Sequence, residues 1–165
     1  AIYIMRNPFD LALSYSRHYG DSLPEAVERL SRDDNTVAGD SESVPQFLGS
    51  WSGHVKSWTR PASFPVLTLR YEDLHEKPTE SFGALLRHIG VPPEPDRLER
   101  AIRFSSFEEV SAQEADRGFI EKSQVAERFF TAGRAGQWRE AMAPELADRL
   151  IRNHRKTMRK WGYLP

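Results

Sequence analysis

The chain lacks cysteine altogether, which excludes a disulfide framework and a thiolate zinc site. It also lacks an excess of positive charge, because its 23 basic and 24 acidic residues leave a formal net charge of −1. This balance removes the general electrostatic case for nucleic-acid binding. No run approaches the roughly 18 consecutive apolar residues of a membrane span. The composition is ordinary: 165 residues, 39% hydrophobic and 28% charged, indicate one globular domain.

Two short apolar runs predict buried strands. Residues 1–5 are almost wholly apolar and rich in β-formers, which is typical of a parallel strand covered on both faces, and residues 66–70 form a second such run. Two short parallel strands cannot satisfy their own backbone hydrogen bonds as a sheet. Either the chain contains further strands that its pattern does not reveal, or it lacks part of its sheet. The start of the sequence inside an apolar strand favours the second alternative.

Helix signals are more numerous than strand signals. The apolar spacing, with Pro, Gly and Ser at the segment ends, predicts helices over 8–19, 23–32, 45–60, 78–89, 96–104 and 144–161. Ser105 is expected to cap one more short helical turn that runs to Val110. The segments 33–44 and 111–136 are predicted to be loops. Helices combined with parallel strands indicate an α/β fold, and no internal repeat or linker divides the chain.

The strongest local pattern is the first strand followed by Arg6-Asn7-Pro8-x-Asp10-x-x-x-Ser14. It places a guanidinium at the carboxyl end of a parallel strand, just before a helix N-terminus, and both features favour anions. The planar fork of Arg6 matches phosphate oxygens, and the Ser14 hydroxyl can donate a further hydrogen bond. In the alternative interpretation, Arg6 pairs with Asp10 and Ser14 lies on an ordinary helix surface. The spacing alone leaves both open.

The segment from Arg6 to Tyr15 resembles the 3′-phosphate-binding motif of the sulfotransferases that use 3′-phosphoadenosine-5′-phosphosulfate (PAPS). Four more segments resemble that family in the family's order, namely 49–58, 65–74, 105–107 and 133–138. The last reads Gly-Arg-Ala-Gly-Gln-Trp, against the family's Gly-x-x-Gly-x-Trp. The resemblance implies a P-loop-NTPase-like parallel sheet flanked by helices, of which residues 1–165 would form the C-terminal portion of a single domain.

The resemblance also implies a nucleotide site. Arg6 and Ser14 would hold the 3′-phosphate, Tyr71 would contact the adenine, and the Gly-x-x-Gly-x-Trp loop would fold over the phosphate. The implied cofactor-binding residues are Arg6, Ser14, Tyr71, Ser105, Phe107, Gly133 and Arg134. Each aromatic has a plainer interpretation, a half-buried strand-end ring for Tyr71 and a core residue for Phe107. His18 and Tyr19 would border the acceptor pocket, or would be ordinary helix-end residues.

Two departures from the family pattern affect these expectations. Thr131-Ala132-Gly133 stands where the family has Arg-Lys-Gly, so we expect Arg134 to supply the charge at the phosphate. Ala143-Pro144 stands where many cytosolic members carry the Thr-Val of their dimer motif, which leaves the oligomeric state open.

The catalytic groups are expected outside this sequence. The family's phosphosulfate loop, a lysine-bearing Gly/Ser/Thr-rich turn, does not occur here, and the resemblance places it, with the catalytic lysine and base, before Ala1. None of the five histidines, His18, His54, His75, His88 and His154, stands at the base position. The implied reaction passes a sulfuryl group in line from PAPS to a hydroxyl or amine of a small-molecule or glycan acceptor, without a metal.

Other interpretations of the sequence remain. The chain could be a non-catalytic module that binds 3′-phosphoadenosine, or a related phosphate-binding protein of the nucleotide-kinase type. The final helix is basic (Arg149, Arg152, Arg155, Lys156, Arg159 and Lys160) and is best interpreted as a solvated face, with an anionic acceptor or nucleotide site and a nucleic acid as alternatives. We expect no nucleic acid and no membrane as partners of this segment. The lack of cysteine favours a cytoplasmic location.

Overall fold

The computed structural model describes residues 1–39, 44–60, 63–120, 122, 126–131 and 133–164. In chain order the elements are β1 (Ile2–Met5), α1 (Pro8–Tyr19), α2 (Leu23–Ser31), β2 (Thr36–Val37), β3 (Gln46–Phe47), α3 (Trp51–Thr59), β4 (Leu67–Arg70), α4 (Tyr71–Glu76), α5 (Pro78–His88), α6 (Pro95–Phe104), α7 (Phe107–Arg117), α8 (Trp138–Ala141) and α9 (Pro144–Lys160). They belong to two units, each built from two stretches of chain. The first unit is Ala1–Arg6 with Phe64–Ala135, and the second is Asn7–Ser63 with Gly136–Pro165.

The first unit is organised around a parallel strand pair. β1 and β4 run side by side in the register Ile2↔Leu67 to Met5↔Arg70, and α4 and α5 pack against β4. Along β1 the odd positions are buried, whereas Ile2 and Ile4 are 38% and 50% exposed. The prediction that this strand is covered on both faces is therefore wrong for the described residues, because they leave the face of Ile2 and Ile4 partly exposed.

The helices of the first unit follow one another in space as in sequence. α4 packs on α5, α5 on α6, and α6 on α7. α4 was missed by the apolar pattern, because its only buried residue is Glu72. An ion pair between Arg70 and Asp73, with nitrogen and oxygen 2.6 Å apart, joins the end of β4 to the first turn of α4.

The second unit is a helical cluster around α9. α2, α3 and α1 all contact α9, and α1 also contacts α2 and α8. Its core is apolar and closely packed, with Ala12, Leu13, Ala26, Val27, Leu30, Val55, Leu150 and Met158 buried. The bounds predicted for α1 and α2 agree with the structure to within one residue. None of the described helices combines the length and the apolar character needed to cross a membrane.

The helix predicted over 45–60 begins later than expected. It starts at Trp51, where the Ser50 hydroxyl accepts the Gly53 N–H at 3.1 Å and so caps the first turn. The preceding residues Gln46–Phe47 instead pair with Thr36–Val37 in a short antiparallel ladder. This ladder also places a strand inside the predicted loop 33–44, of which residues 40–43 lie outside the described residues.

The short turn predicted up to Val110 is a full helix. α7 runs from Phe107 to Arg117, and Ser106 rather than Ser105 caps it, accepting the Glu109 N–H at 3.3 Å. The first part of the predicted loop 111–136 is therefore helical. The apolar pattern failed here because α7 buries a glutamate and leaves most of its other side chains at least partly exposed.

Candidate functional site

Arg6 and Tyr71 meet at the carboxyl edge of the strand pair. Because Met5 is paired with Arg70, the next residue of each chain segment leaves the sheet at the same edge. The guanidinium carbon of Arg6 lies 4.4 Å from the centroid of the Tyr71 ring, which is the geometry of a cation–π contact. Tyr71 also meets His75 edge to face, with ring centroids 4.6 Å apart. Two of the predicted nucleotide-binding residues are thus brought together at the edge where open α/β sheets bind ligands.

Asn7 caps the start of α1. The Asn7 side chain accepts the Asp10 N–H at 2.8 Å through Oδ1 and donates to Asp10 Oδ2 at 2.9 Å through Nδ2. Pro8 occupies the first turn, and Gly20 ends the helix in the left-handed region at φ +72°. Ser14, predicted to bind phosphate, lies half-buried on α1 one turn after Asp10.

Asp10 is the residue of this region that sequence reasoning underestimated. It is 1% exposed, and its carboxylate accepts the Gly136 N–H at 2.6 Å and the Trp138 N–H at 3.0 Å. The Trp138 ring stacks on Phe9 with centroids 4.2 Å apart. α1 thereby fixes the second half of the Gly-x-x-Gly-x-Trp loop within the second unit. The available signal was an aspartate on the buried face of an amphipathic helix, where a charge needs partners.

Phe107 and Gly133 form a second contact among the predicted site residues. Gly133 has φ +54°, and a Cβ built on it would overlap the Phe107 side chain, lying 2.7 Å from the Phe107 Cβ. A left-handed backbone against an aromatic ring leaves room for glycine alone at this position. The first glycine of the loop is therefore required by packing inside the first unit.

Ser105 and Arg134 lie exposed on the first unit. The Ser105 hydroxyl donates back to its own helix, to the Ala101 carbonyl at 2.9 Å and the Ile102 carbonyl at 3.2 Å. Only its lone pairs are then offered to a ligand.

His18 and Tyr19 are part of an aromatic group at the end of α1. The rings of His18 and Tyr19 meet edge to face at 4.7 Å, and Tyr19 meets Tyr15 at 5.1 Å. The Arg29 guanidinium lies over the Tyr19 ring at 5.3 Å and forms an ion pair with Asp21 at 2.5 Å. Burial raises the pKa of Tyr19, so its phenol stays protonated. Packing accounts for much of the Tyr19 environment, and a role at an acceptor pocket stays a prediction.

The second unit also buries a histidine that the sequence left unassigned. His154 of α9 is 2% exposed, and its Nδ1 lies 2.9 Å from the Ser52 hydroxyl of α3. Trp51 meets its ring edge to face at 5.5 Å. Burial lowers the pKa of His154 to about 4, so the ring is neutral near pH 7 and holds α3 to α9.

Metal-binding groups and the basic residues of α9 complete the description of the charged side chains. Among the described residues no group of three or more His, Asp or Glu side chains is placed to hold a metal ion. On α9, Arg149 pairs with Glu28 of α2, while Arg152, Arg155, Lys156, Arg159 and Lys160 are exposed to solvent.

The chain is similar to known proteins over almost its whole length. The family described as "Sulfotransferase domain" matches residues 1–162. Sulfotransferase 1E1 of Homo sapiens is 26% identical over 172 residues, covering 96% of this chain and 55% of that protein. Sulfotransferase 1E1 of Cavia porcellus is 25% identical over 171 residues, covering 96% and 54%. The chain thus spans about half the length of these curated relatives.

Two solved structures share the fold. A crystal structure of mouse sulfotransferase SULT7A1 complexed with PAP has a TM-score of 0.71 at 22% identity, covering 96% of this chain and 58% of that one. A crystal structure of retinol dehydratase in complex with androsterone and inactive cofactor PAP has a TM-score of 0.73 at 19% identity, covering 95% and 46%. The predicted α/β fold, a parallel sheet flanked by helices of the P-loop-NTPase-like kind, is confirmed.

Proposed function

Because the chain belongs to the family of sulfotransferase domains, we propose that it provides the 3′-phosphate and adenosine site of an enzyme that transfers a sulfuryl group from PAPS to a hydroxyl or amine. The observation that carries the proposal is the Arg6–Tyr71 pair at the carboxyl edge of β1 and β4. The guanidinium provides a charge and hydrogen-bond donors for a phosphate, and the phenol ring on which it stacks provides an aromatic surface for a base.

The residues at hand fit the nucleotide by their chemistry. Arg6 provides a planar fork for phosphate oxygens, and Ser14 provides a hydroxyl on the helix that follows it in the chain. Phe107 offers an aromatic ring, and Arg134 a second guanidinium in place of the family's Arg-Lys pair. That two fold relatives are solved as PAP complexes supports PAPS as the co-substrate, which brings the sulfuryl group itself.

The part of this chain in such a reaction is to bind and orient. Contacts to the 3′-phosphate are remote from the sulfur, and their binding energy serves to align the transferred group with its acceptor. The lysine and the general base that complete the site are predicted to precede Ala1. The acceptor is proposed to be a small molecule with a hydroxyl or amine, with a glycan as the alternative, and a cytoplasmic location stays a prediction.

Binding of PAP, the desulfated nucleotide, tests the site directly. PAP at one hundred times its dissociation constant should stabilise the folded protein by about 2.7 kcal/mol if it binds only the folded state. We expect Arg6→Ala to lose most of this stabilisation in a thermal-shift titration, and Arg100→Ala, an exposed arginine of α6 in the same unit, to keep it. An equal shift in wild type and Arg6→Ala would contradict the site assignment.

Two further measurements separate the alternatives. A non-catalytic 3′-phosphoadenosine module would bind PAP but show no sulfuryl transfer from PAPS by the whole protein to a panel of phenols, alcohols and amines. A kinase-type protein would be stabilised by ATP in preference to PAP. The proposed sulfotransferase predicts tighter binding of PAP than of adenosine 5′-phosphate, because the 3′-phosphate is the group that Arg6 recognises.

A further inference from the structure

Helix α7 carries a buried carboxylate that binds the backbone of a segment 15 residues further along the chain. Glu114 is 9% exposed, its Oε1 accepts the Phe129 N–H at 2.6 Å, and its Oε2 accepts the Phe130 N–H at 2.9 Å. Hydrogen bonds with an ionised acceptor are shorter and stronger than those between neutral groups. One side chain therefore fixes two successive peptide units.

The same face of α7 holds the chain a second time. Phe107 precedes Glu114 by seven residues, which is two helical turns, so both side chains project from one side of α7. The Phe107 ring is the group against which Gly133 packs without a Cβ. α7 thus contacts the chain at two places. The Glu114 carboxylate binds the backbone N–H groups of Phe129 and Phe130, and the Phe107 ring packs against Gly133.

The surroundings of Glu114 favour its ionised form. The Phe129 N–H lowers the pKa of Glu114 most, the Phe130 N–H adds to this, and the positive charges of Arg128 and Lys122 act in the same direction. The Phe119 ring packs on Phe129 and Phe130, with centroids 4.6 Å and 5.1 Å away.

We propose that Glu114 is a positioning residue for the nucleotide site. It holds the backbone of Phe129 and Phe130 so that Gly133 and Arg134, which follow in the chain, can contact the nucleotide. The inference rests on the proposed function, because it matters to binding only if Gly133 and Arg134 approach the nucleotide. It depends on a carboxylate in particular. A glutamine has one acceptor oxygen, and its NH2 group would face a backbone N–H that it cannot bind.

The decisive variant is Glu114→Gln, with Glu108→Gln, an exposed glutamate of the same helix, as the matched control. Amide hydrogen exchange in the full chain without nucleotide should accelerate at least tenfold at Phe129 and Phe130 in Glu114→Gln and stay unchanged in Glu108→Gln. By calorimetry, the dissociation constant for PAP should rise about tenfold in Glu114→Gln alone. Far-ultraviolet circular dichroism checks that both variants keep their helices.

The outcomes are separable. Faster exchange at Phe129 and Phe130 with unchanged PAP affinity would overturn the positioning role while leaving the proposed function standing. Unchanged exchange in Glu114→Gln would overturn the carboxylate contact itself. If the wild-type protein fails to bind PAP, the proposed function is overturned, and with it the positioning role of Glu114.

Discussion

The guanidinium of Arg6 lies over the ring of Tyr71, 4.4 Å from its centroid, where two paired parallel strands end. Each residue directly follows one strand of the pair, so the register Met5↔Arg70 brings the two side chains together. The contact therefore joins two residues that are distant in sequence.

The Arg6–Tyr71 contact predicts energetic coupling. In a double-mutant cycle of Arg6→Ala and Tyr71→Leu, the two losses of PAP affinity should differ from additivity by about 0.5–1 kcal/mol. Tyr71→Phe keeps the ring face and should retain most of the coupling. Strict additivity, measured by isothermal titration, would mean that the two side chains act independently on the nucleotide.

The buried carboxylate of Asp10 predicts a large stability effect from a nearly isosteric change. Asp10→Asn turns an amide NH2 towards the N–H groups of Gly136 or Trp138 and should lower the free energy of unfolding by about 2 kcal/mol. Urea denaturation measures this. Asp148→Asn, at an exposed position in the second turn of α9, should change stability by roughly 0.5 kcal/mol or less. Equal effects of the two changes would refute the anchoring role.

Gly133 has a left-handed backbone, and the neighbouring Phe107 side chain leaves no room for a Cβ. A comparison with Gly90 separates the cost of the backbone conformation from the cost of the overlap. Gly90 has φ +79° with open space around it, so Gly90→Ala should cost only the backbone term of about 1 kcal/mol. Gly133→Ala adds overlap with Phe107 and should cost about 2–4 kcal/mol in all. Denaturation of both variants gives the difference, and a difference near zero would show that the Phe107 ring moves aside freely.

His154 predicts a specific pH dependence of stability. Its pKa is depressed to about 4 in the folded protein, while the unfolded chain takes up its proton near pH 6.5. The unfolded state therefore binds more protons between these values, and stability should fall as the pH falls from 6.5 to 4, by up to about 1.4 kcal/mol per pH unit.

The control for that dependence is His154→Gln, which should lower stability overall but remove this part of the slope. His75→Gln, at an exposed position of α4, should leave the slope as in the wild type. A wild-type slope retained in His154→Gln would assign the pH dependence to other groups.

The sequence predicted those elements whose signals are local. The bounds of α1 follow from Asn7, Pro8 and Gly20, because a cap, a first-turn proline and a left-handed glycine act within a few residues. α4 and α7 were missed or shortened because the only side chains they bury are Glu72 and Glu114. A helix whose buried side chain is a carboxylate shows no matching apolar periodicity in the sequence.

The candidate site shows the same difference between residues with local sequence signals and residues whose partners are distant in the chain. The residue types and order around Arg6 were enough to suggest an anion site, and the parallel register brings Tyr71 beside it. The partners of Asp10 lie 126 and 128 residues away, so no local pattern indicates them. Which buried acid binds which backbone depends on the tertiary fold, and the amino-acid pattern alone carries no such information.

The division of the chain into two interleaved units bears on how it is made. The chain passes from one unit to the other after Arg6, after Ser63 and after Ala135. A ribosome that synthesises it from the N-terminus must deliver residues up to 135 before the first unit is complete, and α9 before the second has its core. Contacts between distant stretches of chain are therefore needed to complete each unit, which favours slow folding.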